Sequence, residues 1–353
     1  MAELTVLMAG KMWDDTEVER ELFANVTHPR PVKFIMGNLA PGEPISLIPD
    51  EITQVVDGLF IWRNQLRAAD IARFPKLKVV VRCGVGYDVI DRVECEKRGI
   101  KVTNVPEPAI IDVADHTLAL VLSLRRGILL HHDLQRRAFP WSFLDGPPPK
   151  LLENPLSGQL VQRPRGRTFG IVGLGRIGKA VGLRAQAFGY KVLFYDPLLP
   201  SGTDLSFSFT RTRSLPQLFS SSDIISLHCP LTPQTLNLVD HKALEDLQPG
   251  AILINTSRGP VVNLDAVHDS LKSGKLAAAA LDVLPTEPPD ASHPLIKAYR
   301  DREDWLVGRL VITPHVAFYS PEAREDMRVL AAQTMVDVLL DGLETNVIPP
   351  SAY

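Results

Sequence analysis

Gly173, Gly175 and Gly178, in the run GIVGLGRIG, have the spacing of a phosphate-binding turn between a strand and a helix. Each glycine has its own task in such a turn. Gly173 permits the tight bend, Gly175 lets the backbone approach a pyrophosphate, and Gly178 allows the helix to pack closely on the strand, with its amino terminus facing the anion. An apolar run precedes the motif and a segment of helical periodicity, RIGKAVGLRAQAFG, follows it, so the glycines have the context they need. About twenty residues further on, Asp196 ends the next apolar run, the offset expected of a carboxylate that accepts hydrogen bonds from ribose hydroxyls. That carboxylate would repel the 2′-phosphate of NADP, so the pattern favours NAD. Arg176 lies within the turn and is expected to face the pyrophosphate rather than the adenosine ribose.

Ligands of open parallel sheets bind outside the carboxyl ends of the strands, so the residues that follow each apolar run form one group of candidates. Here they are Asp196, then His228, Cys229 and Pro230, then Thr256, Ser257 and Arg258, then Asp282 with Glu287 downstream, and finally His315. A cation, a carboxylate and an imidazole are the groups needed to orient a small anion and move a proton at a carbonyl. Taken singly, a histidine or arginine in such a place is more often an ordinary solvated or hydrogen-bonded residue. The combination behind a dinucleotide fingerprint points to chemistry.

The elements that must hold these residues alternate between short apolar runs and helix-length segments, the pattern of parallel sheets covered by crossover helices. Six runs, TFGIVG, KVLFYD, DIISLH, AILINT, AAAALDV and RLVITP, predict a six-stranded nucleotide-binding domain. In the amino-terminal third, LTVLMA, VDGLFIW, LKVVVRC and IKVTNV predict a second parallel-sheet domain, with a cleft between the two. The segment DHTLALVLSLRRGILLHHDLQRR predicts one long helix, with Asp115 near its start and basic residues near its end, both favourable to the helix dipole. Residues 138–166 are rich in proline and read as a long surface connection.

Composition removes several classes of function. The 353 residues are 45% hydrophobic and 22% charged, ordinary for a globular protein of about two domains. A net charge of −3 gives no basic excess for nucleic acid. The three cysteines, Cys83, Cys95 and Cys229, lack the spacing of metal ligands and suit a reducing, cytoplasmic setting. No apolar run reaches the length needed to span a bilayer, and the amino-terminal run is too short for a signal peptide, so a soluble protein is expected.

The blocks VGLGRIGKAV, INTSRGPVV, AALDVLPTEP and ITPHVAFYS, in this order and spacing, resemble the D-isomer-specific 2-hydroxyacid dehydrogenase family. RCGVGYDVID, LRAQAFGYKVLFYDP, SLHCPLT and HVAFYSPEAREDMR make the chain look closest to its C-terminal binding protein branch, from about Val56 onward. The resemblance implies a catalytic set of Arg258, Glu287 and His315. His315 would protonate a substrate carbonyl, Glu287 would hold it in the proton-donating form, and Arg258 would bind the substrate carboxylate. A neighbouring carboxylate favours imidazolium, in keeping with that role. Glu287, in place of the amide that related formate dehydrogenases set beside their histidine, disfavours formate.

The backbone N–H groups of Val85 and Gly86, together with Arg82, are implied to reach the same carboxylate. Phe318, standing where animal members of the branch have tryptophan, would supply an aromatic wall with less area and no indole N–H. The cofactor, NAD, is implied to lie against Gly173, Gly175, Arg176, Ile177, Gly178, Asp196, Cys229, Pro230, Thr235, Thr256, Ser257 and Asp282. No metal is expected.

The family's organisation implies a discontinuous substrate domain of residues 1–115 plus 317–353, of flavodoxin-like form, around a Rossmann domain of residues 116–316. A helix from Pro321 would return the chain to the first domain, and the long helix near Thr117 would help to form a homodimer. The expected activity is reduction of a 2-keto acid to its D-2-hydroxy acid. The alternative is an NAD-sensing transcriptional corepressor that binds short peptide motifs and also enters the nucleus.

Overall fold

The computed structural model describes residues 3–11, 15–25, 30–136 and 160–349. Two compact units emerge, Met1–Ala109 with Tyr319–Tyr353, and Ile110–Phe318.

In the first unit, β1 (Leu4–Gly10), β2 (Val32–Leu39), β3 (Gly58–Ile61), β4 (Val79–Arg82) and β5 (Lys101–Asn104) form a parallel sheet of order β2-β1-β3-β4-β5. Every residue of β1 and β3 is buried, because helices and loops cover both faces. β2 is absent from the sequence reading. It is an edge strand whose residues are mostly half-exposed, so Lys33, Gly37 and Asn38 interrupt any apolar run.

The helix Pro321–Leu339 belongs to this unit, and its start is well marked. Ser320 caps it by accepting from the Ala323 N–H at 3.0 Å, with proline in the first turn. Ala331, Met335, Val336 and Val338 share a core with the strand residues Val6, Met8, Phe60 and Val81.

Arg328 of the same helix binds Glu19 of the helix Glu17–Asn25 through contacts of 3.0 and 2.7 Å, and it also reaches Asp15 at 2.7 Å. The Arg328 and Glu19 side chains are 4% and 2% exposed, so neither has water as a substitute partner. Removing Glu19 takes away the buried carboxylate that meets this cation, and Asp15, a neighbour at the surface, is 44% exposed and a weaker substitute. Glu19→Ala is therefore expected to lower stability by about 3–5 kcal/mol, read as a fall in the urea midpoint at unchanged slope.

The second unit contains β6 (Thr168–Val172), β7 (Lys191–Tyr195), β8 (Thr210–Arg211), β9 (Ile224–Leu227), β10 (Ala251–Asn255), β11 (Leu276–Leu281) and β12 (Leu310–Ile312). All pairs are parallel, in the order β12-β11-β10-β9-β6-β7-β8. The sheet thus has seven strands rather than the six expected. β8 pairs only Leu193 with Thr210 and Phe194 with Arg211, too short a run to show a period. Strand order reverses between β6 and β9, and that reversal opens a crevice at their carboxyl ends. Two apolar clusters fill the faces of the sheet, one around Leu253 and Leu281, the other around Ile171, Phe194 and Ile254.

The single helix expected from Asp115 is instead two, Ile110–Arg125 and Ile128–Arg136. Gly127 separates them at φ 61°, and a side chain there would meet Val161 at 2.8 Å. The proline-rich connection lies outside the described residues as far as residue 159. Beyond it, Leu160 is fully buried and the Gln162 N–H donates to the Arg125 carbonyl at 3.0 Å. Among the described residues no helix is long and apolar enough to cross a membrane, and no cluster of His, Cys, Asp or Glu could hold a metal ion.

Candidate active site

The turn after β6 is shaped by what surrounds each glycine. Gly173 adopts φ 87°, and a Cβ there would lie 2.8 Å from the Cys229 nitrogen and 2.9 Å from the His228 carbonyl carbon. The turn therefore rests directly on the chain leaving β9. A Cβ at Gly178 would sit 2.2 Å from the Gly173 carbonyl oxygen, so only glycine lets the helix Arg176–Ala187 begin this close to the strand.

Gly175 differs from both. It is the N-cap of that helix, no side chain caps it, and no atom lies within 4 Å of the position a Cβ would take. The first N–H groups of a helix have no partner inside the helix, and beside open space they form a ready anion site. A pyrophosphate fits this cradle.

Asp196, just beyond β7, accepts from the Leu174 N–H at 2.9 Å through one oxygen and from the Leu198 N–H at 2.9 Å through the other. Each oxygen keeps capacity for a further hydrogen bond, as a ribose diol requires. Arg211, on β8, donates to the Asp196, Leu199 and Pro200 carbonyl oxygens at 3.3, 3.2 and 2.6 Å and stacks 5.1 Å from the Phe194 ring. It thereby shapes the loop after β7. Nothing in the sequence marks it, since its strand is two residues long.

After β9, His228 meets Ser226 Oγ through Nε2 at 2.8 Å. Burial pushes its imidazole down to about 3, from an ordinary 6.5. The folded protein therefore refuses a proton that the unfolded chain takes up below pH 6.5. Stability from this group is fully present above pH 6.5 and falls, by up to about 1.4 kcal/mol per pH unit, as pH drops toward 3. His228→Gln is expected to flatten the decline of the urea midpoint between pH 6.5 and 4. An unchanged slope would show that the acid sensitivity lies elsewhere.

Cys229 is buried, and burial pushes its thiol up to about 12, so it is a packing group rather than a nucleophile. Thr235 Oγ1 donates to the Pro230 carbonyl at 2.6 Å and accepts from the Thr232 N–H at 2.8 Å, closing the turn that follows.

After β10, the fully buried Asn255 organises the next turn. Its Oδ1 accepts from the Ser257 N–H at 3.0 Å and from Ser257 Oγ at 2.9 Å, and its Nδ2 donates to the Arg258 carbonyl at 2.9 Å. The Arg258 guanidinium donates to the Ser257 carbonyl at 2.8 Å. Thr256 Oγ1 lies 2.9 Å from Thr117 Oγ1, which donates to the Val113 carbonyl at 2.7 Å, so Thr256 is the donor of the pair. A Cβ at Gly259 would fall 2.0 Å from the carbonyl group of Leu284, so the turn of Arg258 and the loop of Glu287 touch backbone to backbone. Asn255 and Gly259 were not singled out in the sequence, although both flank the TSR motif.

Beyond β11, Asp282 is 2% exposed. Its Oδ1 accepts from Thr313 Oγ1 at 2.6 Å and the Val316 N–H at 3.0 Å, and its Oδ2 accepts from the Ala317 N–H at 3.0 Å. Its carbonyl accepts from the His315 N–H at 2.8 Å. Asp282 thus brackets His315, a role its strand-end position did not reveal. Glu287 accepts from the Leu284 N–H at 3.0 Å through Oε1 and faces His315 Nδ1 across 2.8 Å through Oε2. His315 takes a left-handed backbone, φ 55°, and its ring stands edge-on to Phe318 with centroids 6.3 Å apart. With the His315 and Glu287 side chains about one-third exposed, at 32% and 35%, the pair is open to a small solute.

The remaining candidates belong to the first unit. Arg82 ends β4, donates to the Cys83 carbonyl and lies 5.1 Å from the Trp62 ring, which also carries Arg63 at 5.9 Å. Asn104, ending β5, donates to the Val85 carbonyl at 2.7 Å and steadies the turn that includes Gly86. Trp62 is an aromatic platform that the sequence reading left within a strand.

Comparison with known proteins places the chain in a family. The model for the D-isomer specific 2-hydroxyacid dehydrogenase, NAD binding domain, matches residues 118–317. A glyoxylate reductase of Thermofilum pendens is 37% identical over 286 residues, 80% of this chain and 77% of that one. A second, from Korarchaeum cryptofilum, is 35% identical over 277 residues, 78% and 76% of the two chains. The crystal structure of D-lactate dehydrogenase from Aquifex aeolicus, complexed with NAD and lactic acid, superposes with a TM-score of 0.76 at 26% identity, covering 98% of each chain. These relatives do not single out the C-terminal binding protein branch, nor do they support a corepressor role. The chain belongs to the D-isomer specific 2-hydroxyacid dehydrogenase family and is an NAD-dependent oxidoreductase of that family.

Proposed function

We propose that this protein reduces a short 2-keto acid, glyoxylate foremost, to the D-2-hydroxy acid, with His315 as the proton donor. The observation that carries this reading is the 2.8 Å contact between His315 Nδ1 and Glu287 Oε2. The Glu287 carboxylate on Nδ1 fixes the orientation of the ring and occupies that nitrogen, so the transferable proton is the one on Nε2. Bound NADH supplies the hydride that reaches the carbonyl carbon. His315 gives its proton to the carbonyl oxygen as that oxygen gains charge, and Glu287 balances the imidazolium until the proton leaves. Arg258 binds the substrate carboxylate, and its cation draws electron density from the adjacent carbonyl. Arg82 and the N–H groups of Val85 and Gly86 are the anion-binding groups assigned to the first unit, and Phe318 packs beside the imidazole. The glyoxylate reductases among the relatives support a small substrate.

The test is NADH oxidation by the purified protein with glyoxylate, hydroxypyruvate and phenylpyruvate. Turnover is expected with at least one, the smallest favoured. Absence of turnover across the panel, with NADH demonstrably bound, would sink the proposal.

A further inference from the structure

We propose that His116 is a positioning residue for His315, acting through Thr313 and Asp282, and this rests on the reading of His315 as the proton donor. His116 lies on the helix Ile110–Arg125, and its Nε2 is 3.3 Å from Thr313 Oγ1. Thr313 Oγ1 in turn lies 2.6 Å from Asp282 Oδ1. A hydroxyl has one hydrogen, and the short contact with the carboxylate takes it. Thr313 is thus left to accept from His116, which fixes His116 as the tautomer with hydrogen on Nε2.

The chain of donors continues past the carboxylate. Asp282 holds the Val316 and Ala317 N–H groups at 3.0 Å each, and its carbonyl holds the His315 N–H at 2.8 Å. His315 keeps φ 55°, a conformation that side chains other than glycine rarely adopt, so neighbouring groups must hold it there. The bracket formed by Asp282 does so, and His116 orients that bracket by engaging the hydroxyl bonded to it.

The next residue of the same helix, Thr117, is bonded to Thr256 at 2.9 Å, next to the turn that carries Arg258. One turn of helix is therefore tied to the chain beyond β10, directly through Thr117, and to the chain beyond β11 and β12, through the His116 network. His116 touches neither Glu287 nor the His315 ring in this network. Its effect is on aim.

The experiment compares His116→Phe, His116→Gln, Thr313→Val and the Phe/Val double variant. Phenylalanine removes the N–H donor, whereas glutamine can place an amide N–H near the site of Nε2. His116→Phe and Thr313→Val are each expected to lower kcat by about 10- to 100-fold, with KM for the keto acid and NADH affinity within about two-fold of wild type. His116→Gln should recover most of the loss, and the double variant should be no worse than the poorer single variant, because both break one connection.

Hydrogen exchange at the Val316 and Ala317 amides supplies a readout independent of turnover, and His116→Phe is expected to accelerate it. Equal losses in His116→Phe and His116→Gln, multiplying losses in the double variant, or unchanged exchange would each overturn the positioning role. Accelerated exchange in a protein whose wild type reduces no keto acid would uphold the connection and overturn the assignment of His315.

Discussion

His315→Gln is expected to lower kcat for keto-acid reduction by about 100- to 10,000-fold while NADH affinity stays near that of wild type. Glutamine can donate a hydrogen bond to a carbonyl but cannot surrender the proton, so substrate polarisation survives and protonation does not. The cofactor cradle is separate, built from Gly173, Gly175 and Gly178 against the chain after β9. NADH fluorescence titration should therefore report an unchanged site. The left-handed backbone at residue 315, φ 55°, adds a control, because asparagine tolerates this conformation better than glutamine. His315→Asn and His315→Gln should lose turnover equally if chemistry is at stake. Substantial activity in the asparagine variant alone would assign the loss to backbone strain. Turnover within about ten-fold of wild type in both would remove His315 from the proton-donating role.

Gly259→Ala is expected to be nearly as damaging although the residue carries no functional group. Its Cβ would stand 2.0 Å from both atoms of the Leu284 carbonyl and 2.5 Å from the Pro285 nitrogen, all of them backbone. No side chain can rotate to relieve that clash, so the turn of Arg258 and the loop of Glu287 must separate. The two loops then cannot keep the arginine and the carboxylate–imidazole pair in their present register. A displacement on the order of 1 Å at a reacting group costs about 100-fold in rate. The measurement is kcat/KM for the keto acid beside the thermal midpoint and NADH affinity. Loss of kcat/KM with NADH binding retained is the expected pattern. Wild-type kcat/KM would show that the close approach of the two loops is dispensable.

Much of the cofactor cradle was legible because its physics is local. A glycine-rich turn between a buried strand and a helix needs residues at fixed spacing: Gly178 must clear the Gly173 carbonyl a few residues away and Gly175 leaves the helix start open, whereas the packing of Gly173 on the chain after β9 is long-range. The returning helix from Pro321 was expected from the family's organisation, and the structure adds that Ser320 caps it, with proline in the first turn. The edge strand β2 was not legible. Most of its residues are only half-buried, and Lys33, Gly37 and Asn38 interrupt the continuous apolar run that announced its neighbours. β8 consists of two residues, and Gly127 split a helix whose apolar periodicity continues on both sides of it.

The sequence by itself determined the composition of the candidate site: which strand ends carry an arginine, a carboxylate and an imidazole, and that a dinucleotide turn precedes them. These follow from the periodicity of parallel strands, which brings every carboxyl end to one edge of a sheet. Only the tertiary structure decided how the groups are held. Glu287 meets His315 across twenty-eight positions of sequence, Gly259 admits the Leu284 backbone, and Asp282 closes around His315 through Thr313, Val316 and Ala317. Such contacts depend on the register between neighbouring strands and on the path of the loops beyond them, and no local pattern of residues encodes either.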